Sequence, residues 1–223
     1  NPPNKQEKTY FQIPPLENYI ELSKYLANQG LYVVRIGLKS SEPLPKNIHP
    51  NIIDCTVLPR DAFGEIFLIA NCKFMIAGTT GLIYGAAAFD RPFLVTDIWN
   101  LGGSQVSSNK SGISNMILPK RIWSNEENRY LTFRELINYS DKFTWKSDFD
   151  KNNLRIEFNS KNELISAADE MNKRIDSTWK PQAIDKRLQN QLNSMYLPKH
   201  IGYKNTAIVS SIFLRENTEM LEI

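Results

Sequence analysis

"AGTTGLIYGAAAFDRPFLVTD", residues 77–97, leaves an apolar run and sets two threonines between two glycines. A row of small residues follows, and then a second apolar run ending in an aspartate. This order predicts a strand, a tight turn, a short helix and another strand. The turn Gly78-Thr79-Thr80-Gly81 is the part whose purpose the sequence must explain.

The same alternation extends in both directions. Residues 16–29 place Leu16, Ile20, Ser23 and Leu26 on one helical face, after Pro14-Pro15 and before a stop at Gly30. "LYVVRIG" (31–37) reads as a buried strand closing at Gly37, and "NIIDCTVL" (51–58) as a second. A helix over 62–72, a strand over 73–78, a helix over 82–89 and a strand over 92–97 come next. "NMILP" (115–119) is a fifth strand behind a polar loop at 102–112. The strands are continuous apolar runs, as in a parallel sheet covered on both faces, and this predicts an α/β, Rossmann-like doubly wound domain of about five strands.

The second half differs. Thr132-x-x-Glu135 and Ser160-x-x-Glu163 are capping-box patterns ahead of helices at 133–139 and 161–176. Segments 182–195 and 206–222 also read as helical, with no sheet of their own. The expected division is a Rossmann-like domain over 1–145 and a helical extension over 146–223 packed on it.

Bulk properties narrow the function. The net charge is +3, and no run of five like charges occurs, which argues against a nucleic-acid groove. The two cysteines, Cys55 and Cys72, lie in apolar segments and read as buried free thiols of a reducing compartment. No stretch reaches the ~18 apolar residues of a membrane span, and no signal peptide is visible. The expected location is the cytoplasm, including the inner membrane face. The chain opens Asn1-Pro2-Pro3, so a cut from a longer protein is expected.

A turn at the C-terminal end of a parallel strand, leading into a helix, aims backbone N–H groups at one point and suits phosphate. Thr79 and Thr80 add hydroxyl donors. The competing reading is an ordinary turn with a threonine cap. Thr80-Gly81-x-x-x-Gly85-x-Ala87 also matches a short-chain reductase fingerprint superficially. That chemistry needs Tyr-x-x-x-Lys, and none of the 9 tyrosines has a lysine four residues on. The full G-x-G-x-x-G pattern is missing as well.

Arg35 interrupts a buried run near a strand end, where a charge needs a partner. A ligand phosphate or an ion pair with Asp54 or Asp61 would each serve, and Lys39 follows within reach of the same point. Asp97 suits either a ribose or sugar hydroxyl or a cap on the next loop. His49 and His200 read as surface residues, and Trp99 and Trp123 as loop aromatics able to stack on a base or pack in the core. No histidine-cysteine-carboxylate spacing suggests a metal, and no G-x-S-x-G elbow a hydrolase.

The block 72–97 resembles the C-terminal half of GT-B glycosyltransferases, an arrangement shared with heptosyltransferases and sugar-nucleotide epimerases. It is more closely similar to bacterial glycosyltransferase-like proteins of surface-polysaccharide clusters. "GLYVVRIG" (30–37), "DAFGEIFLIANCKF" (61–74), "GTTGL" (78–82) and "FDRPFLV" (89–95) carry that resemblance, joined by "LPK" (118–120), "RYLTFRELI" (129–137) and "IFLREN" (212–217). The family's asparagine after the F-x-x-P strand is Asp97 in this chain, with Asn100 nearby.

The resemblance implies transfer of a sugar from a nucleotide-sugar donor to a glycan acceptor, with this chain as the donor-binding half and the acceptor half lying outside it. The implied nucleotide-sugar set is Arg35, Gly37, Lys39, Gly78, Thr79, Thr80, Gly81 and Asp97, with no metal and no cofactor; no catalytic base is assigned. A sugar-nucleotide epimerase or hydrolase, or a non-catalytic nucleotide- or glycan-binding module, are the alternatives.

Overall fold

A computed structural model describes residues 14–37, 42–59, 61–102, 115–139, 146–204 and 206–221. Helix α1 (Leu16–Asn28) buries Leu22, Leu26 and Ala27. Gly30 ends it at φ +84°, with the Gly30 N–H donating to the Ala27 carbonyl and the Leu31 N–H to that of Leu26. This is a Schellman closure, and the left-handed position it requires favours glycine. Strands β1 (Val33–Arg35) and β2 (Ile52–Asp54) follow as a parallel pair, with Arg35 in register with Asp54.

Helix α2 (Ala62–Asn71), β3 (Met75–Ala77), α3 (Leu82–Ala88) and β4 (Phe93–Ile98) reproduce the strand–turn–helix–strand order of 77–97. The "FDRP" link closes α3 as Gly30 closes α1. Asp90 takes φ +55°, its N–H donates to the Ala87 carbonyl, and the Arg91 N–H donates to that of Ala86. Asp and Asn tolerate this conformation better than other side chains. All six residues of β4 are buried, as expected for a strand covered on two faces.

Strand β5 (Met116–Pro119) lies beside β4, and the chain runs on almost at once into β6 (Arg121–Ser124). β6 belongs to a separate antiparallel sheet with β7 (Arg129–Tyr130) and β8 (Leu154–Glu157). Helices α4 (Phe133–Tyr139), α5 (Lys146–Lys151), α6 (Lys161–Ile175) and α7 (Ala183–Asn193) occupy the second half. Strand β9 (Ile208–Val209) and helix α8 (Ser211–Glu216) close the described chain.

The protein is thus α/β, with an all-parallel four-stranded sheet in the order β3-β4-β5-β9. The five expected strands all form, but not as one sheet: β1 and β2 hydrogen-bond as a pair of their own. The fourth strand of the main sheet comes from the segment expected as the helix 206–222. That helix is instead β9, α8 and a 3-10 turn, because Ser210 breaks the run by accepting from the Phe213 N–H as a cap. The extension is also not purely helical, since β8 pairs with β6 along Leu154–Glu157.

Both capping boxes form. Ser160 and Glu163 exchange bonds at the start of α6, and the Thr132 N–H donates to Glu135 at 2.7 Å ahead of α4. Helix α6 packs against α1, β4 and β5. A single apolar cluster runs from Leu22 to Leu221 and takes in residues on both sides of position 145.

Candidate functional site

In a parallel sheet, binding groups collect beyond the C-terminal ends of the strands. Arg35 ends β1, Gly78–Gly81 follows β3, and Asp97 lies near the end of β4. Lys39 lies outside the described residues.

The turn after β3 is open. Thr79, Thr80 and Gly81 are exposed, and a Cβ added at Gly81 would meet no atom within 4 Å. Gly81 has φ −61° and ψ −23°, an ordinary helical conformation. A Cβ at Gly78 would stand 3.8 Å from the Thr96 carbonyl oxygen, a normal contact. The turn therefore needs neither glycine for its backbone shape. Thr80 Oγ1 accepts from the Leu82 N–H at 3.0 Å. Thr80 stands one residue ahead of the N-cap position, Gly81, and its local bond takes an N–H group that an anion at the helix start could otherwise use.

Arg35 is held by protein groups. Its guanidinium donates to the Glu42 carbonyl and lies 3.4 Å from Asp54 Oδ2. Asp54 also accepts from the Thr56 hydroxyl at 2.6 Å, the Thr56 N–H at 3.0 Å and the Leu44 N–H at 2.8 Å. Burial pushes the Asp54 carboxyl up, but these hydrogen bonds and the Arg35 charge together bring it below its ordinary range. Gly37, at φ +143°, occupies a backbone conformation that favours glycine, and a Cβ added there would stand 4.0 Å from Thr56 Cγ2. A cavity of about 650 Å³ opens beside Asp54, bordered by Leu44, Lys46, His49, Ile52 and Val57.

Asp97 is the centre of a second, separate network. The register of β4 against β5 shifts between Val95 and Ile98, and Asp97 sits in that bulge at φ +53°. Such bulges re-aim side chains at sheet ends. Asp97 Oδ1 accepts from the Asn159 N–H at 2.8 Å, and Oδ2 from the Tyr19 hydroxyl at 2.8 Å. The Asp97 N–H donates to Asn159 Oδ1 at 2.7 Å, and Asn159 Nδ2 donates to the Pro119 carbonyl at 2.8 Å. Tyr19 has one proton and gives it to Asp97, so the Thr96 hydroxyl, 2.6 Å away, donates to the Tyr19 oxygen.

Electrostatics at this end of the sheet are unusual. Lys120, immediately after β5, is only 1% exposed and lies 4.1 Å from the Phe158 ring centroid. Burial brings its ammonium down to about 8, against the pull of Asp97 in the other direction. Asp97 is displaced upward by burial, opposed by the Asn159 and Tyr19 hydrogen bonds and the Lys120 charge. Tyr19 is driven up by burial and by the Asp97 charge, which keeps it a hydrogen-bond donor. Sequence reasoning missed Tyr19, Lys120 and Asn159. Lys120 was visible within "LPK", as a lysine directly after an apolar strand.

The remaining candidates are structural. Trp99 packs edge-on against Phe149 at 5.4 Å, and Trp123 lies in β6, edge-on to Tyr130 at 5.0 Å. His200 is buried rather than on the surface, its Nδ1 accepting from the Leu197 N–H at 3.0 Å. His49 Nδ1 accepts from the Asn51 N–H at 3.0 Å. Cys55 and Cys72 are free and half-buried. Among the described residues, no group of three or more His, Cys, Asp or Glu is placed to hold a metal ion, and no helix is long and apolar enough to cross a membrane.

Among the described residues, the turn after β3 is open to an anion or a polyhydroxylated ligand, whereas Arg35 and Asp97 would have to give up existing contacts to take one. Comparison of the chain with family models, with curated proteins and with solved structures finds no match.

Proposed function

We propose that the chain is the donor-binding, Rossmann-like half of a bacterial glycosyltransferase of the GT-B type. It would transfer a sugar from a nucleotide-sugar donor to a glycan acceptor in surface-polysaccharide synthesis, at the cytoplasmic side of the membrane. The observation that carries the reading is the position of Arg35, Gly78–Gly81 and Asp97, each at the C-terminal end of a parallel strand. A diphosphate at the open turn would meet the Thr79 and Thr80 hydroxyls, and Arg35 would turn from Asp54 to supply the countercharge. Transfer needs the acceptor-binding half to place the hydroxyl, so this chain alone binds donor weakly and turns over little.

Calorimetric titration of the chain with a nucleoside diphosphate and with the matching nucleoside tests the proposal. The diphosphate should bind more tightly. Equal affinity for the two, or no binding of either, would overturn it, and acceptor-dependent transfer by this chain alone would remove the division into halves.

A second reading, a non-catalytic nucleotide- or glycan-binding module, is favoured by one observation. Arg35, Thr80 and Asp97 each already satisfy a protein partner. Tight diphosphate binding combined with an absence of transfer after the acceptor half is supplied would select this reading.

A further inference from the structure

Helix α2 turns its apolar stripe outward. Phe63 is 77% exposed, Ile66 51% and Phe67 57%, and their i, i+3, i+4 spacing places them on one face. The Phe63 and Phe67 rings stack with centroids 6.5 Å apart and planes 28° apart, so they present one continuous surface. On the inward side Ile69 is buried, and its Cγ2 would be 3.5 Å from a Cβ at Gly85 of α3. α3 therefore packs on α2 at Gly85, where a methyl group would also fit at ordinary contact distance. Its neighbour on α3, Tyr84, is 76% exposed as well. A ten-residue helix that buries Ile69 and exposes three large apolar residues is patterned for a covered face, not for water.

We propose that this α2–α3 face is the centre of a two-fold interface with a second copy of the chain. The area supports it: at about 200 Å² per aromatic side chain, the exposed shares of the three rings come to roughly 400 Å² before Ile66 is added. A stable interface of standard size covers about 800 Å² on each partner, so the rings and Ile66 supply its apolar centre and ordinary polar neighbours its rim.

The charge pattern favours self-association in particular. A two-fold axis brings each central residue near its own copy, where a charged side chain would face its like. Ala62, Phe63, Ile66 and Phe67 carry no charge. Antiparallel apposition of two α2 helices sets the acidic start of each, at Asp61, against the uncharged end of the other, at Asn71. It also opposes the two helix dipoles. This inference does not depend on the donor-binding reading.

Sedimentation velocity of the full chain over a concentration series is the test. The wild type should pass from one chain to two as concentration rises. Phe63→Glu combined with Phe67→Glu should stay at one chain throughout, with the circular dichroism spectrum and melting midpoint of the wild type, because neither ring belongs to the core. Tyr84→Glu, on the other helix, should weaken association at least tenfold and decides the matter if the double variant does not fold. A wild type that remains one chain up to its solubility limit overturns the proposal and leaves the face to a different partner. A dimer that survives both folded variants overturns it as well, since the interface then lies elsewhere.

Discussion

Asp97 and Asn159 hold each other through both main chain and side chain. The Asp97 N–H donates to the Asn159 side-chain oxygen at 2.7 Å, and the Asn159 N–H returns a bond to the Asp97 carboxylate at 2.8 Å. Asn159 immediately precedes Ser160, the cap of α6, so the exchange ties the end of a central strand to the start of the long helix packed on it. The residues are 62 positions apart, and the link closes a large loop.

This geometry predicts that asparagine can replace Asp97 while alanine cannot. An asparagine side chain there would keep the Oδ1 acceptor for the Asn159 N–H, donate to the Tyr19 oxygen, and tolerate the φ of +53°. Asp97→Asn should leave stability within ~1 kcal/mol at neutral pH. Asp97→Ala strands two buried donors and removes the short polar side chain that eases the left-handed position, at a combined cost of about 2–5 kcal/mol. Burial raises the Asp97 carboxyl, so the fold penalises its charged form. That penalty is absent below the ordinary aspartate value of ~3.9, sets in as pH rises past it, and is complete above the folded value. Urea unfolding across this range should show the balance moving toward the Asn variant with rising pH. Parallel curves would refute the assignment.

Lys120 makes a prediction at the other end of the pH scale. Its ammonium titrates at about 8 in the fold, against an ordinary value of 10.5. Between these values the unfolded chain holds a proton that the folded chain has lost, so stability rises with pH. Lys120→Met should abolish that rise. The comparison belongs between pH about 8 and the onset of tyrosine ionisation near ~10, and an unchanged slope in the variant would count against a buried, depressed lysine.

Arg35→Ala separates an ion pair from a phosphate ligand. Asp54 keeps its bonds from Thr56 and Leu44, so the melting midpoint should fall only slightly, in line with a loss of about 1 kcal/mol. If Arg35 turns to the donor, nucleoside diphosphate affinity should drop about tenfold, or ~1.4 kcal/mol, with nucleoside affinity unchanged. Calorimetry on both ligands is decisive, and equal losses would confine Arg35 to its structural pair.

Gly81→Asp probes the open turn. The helical backbone there, with no neighbour within 4 Å of an added Cβ, accommodates the side chain, and an acid at a helix start contributes ~0.3–1 kcal/mol of stability. The variant should fold at least as well as the wild type. A diphosphate would meet both a steric block and a like charge, so its binding should be lost. Undiminished diphosphate binding by the folded variant would remove the turn from the donor site.

The main parallel strands were legible because β3, β4 and β5 are continuous apolar runs bounded by glycine, proline or polar loops. The tail strands were less so. Leu154-Arg155-Ile156-Glu157 does alternate with period two, but only over four residues, and β9 has just Ile208 and Val209. Short edge segments take their identity from the strand they pair with, which no local pattern records. The same limit applies to the candidate site. Arg35 stood out as a charge inside an apolar run and Asp97 as one closing such a run, whereas Tyr19 and Asn159 look like ordinary helix and loop residues until folding brings them to Asp97.

Strand β9 also sets the order in which the protein can be completed. It pairs with β5 through Met116↔Ile208 and Ile117↔Val209, so one side of β5 has no strand until the ribosome has passed Val209. At ~5–20 residues per second, the intervening chain takes roughly five to twenty seconds to synthesise. Throughout that interval the β5 edge offers unpaired backbone groups to any neighbouring nascent chain. A polypeptide ending before Ile208 would carry this edge permanently, and aggregation rather than simple loss of stability is the defect such a truncation would show.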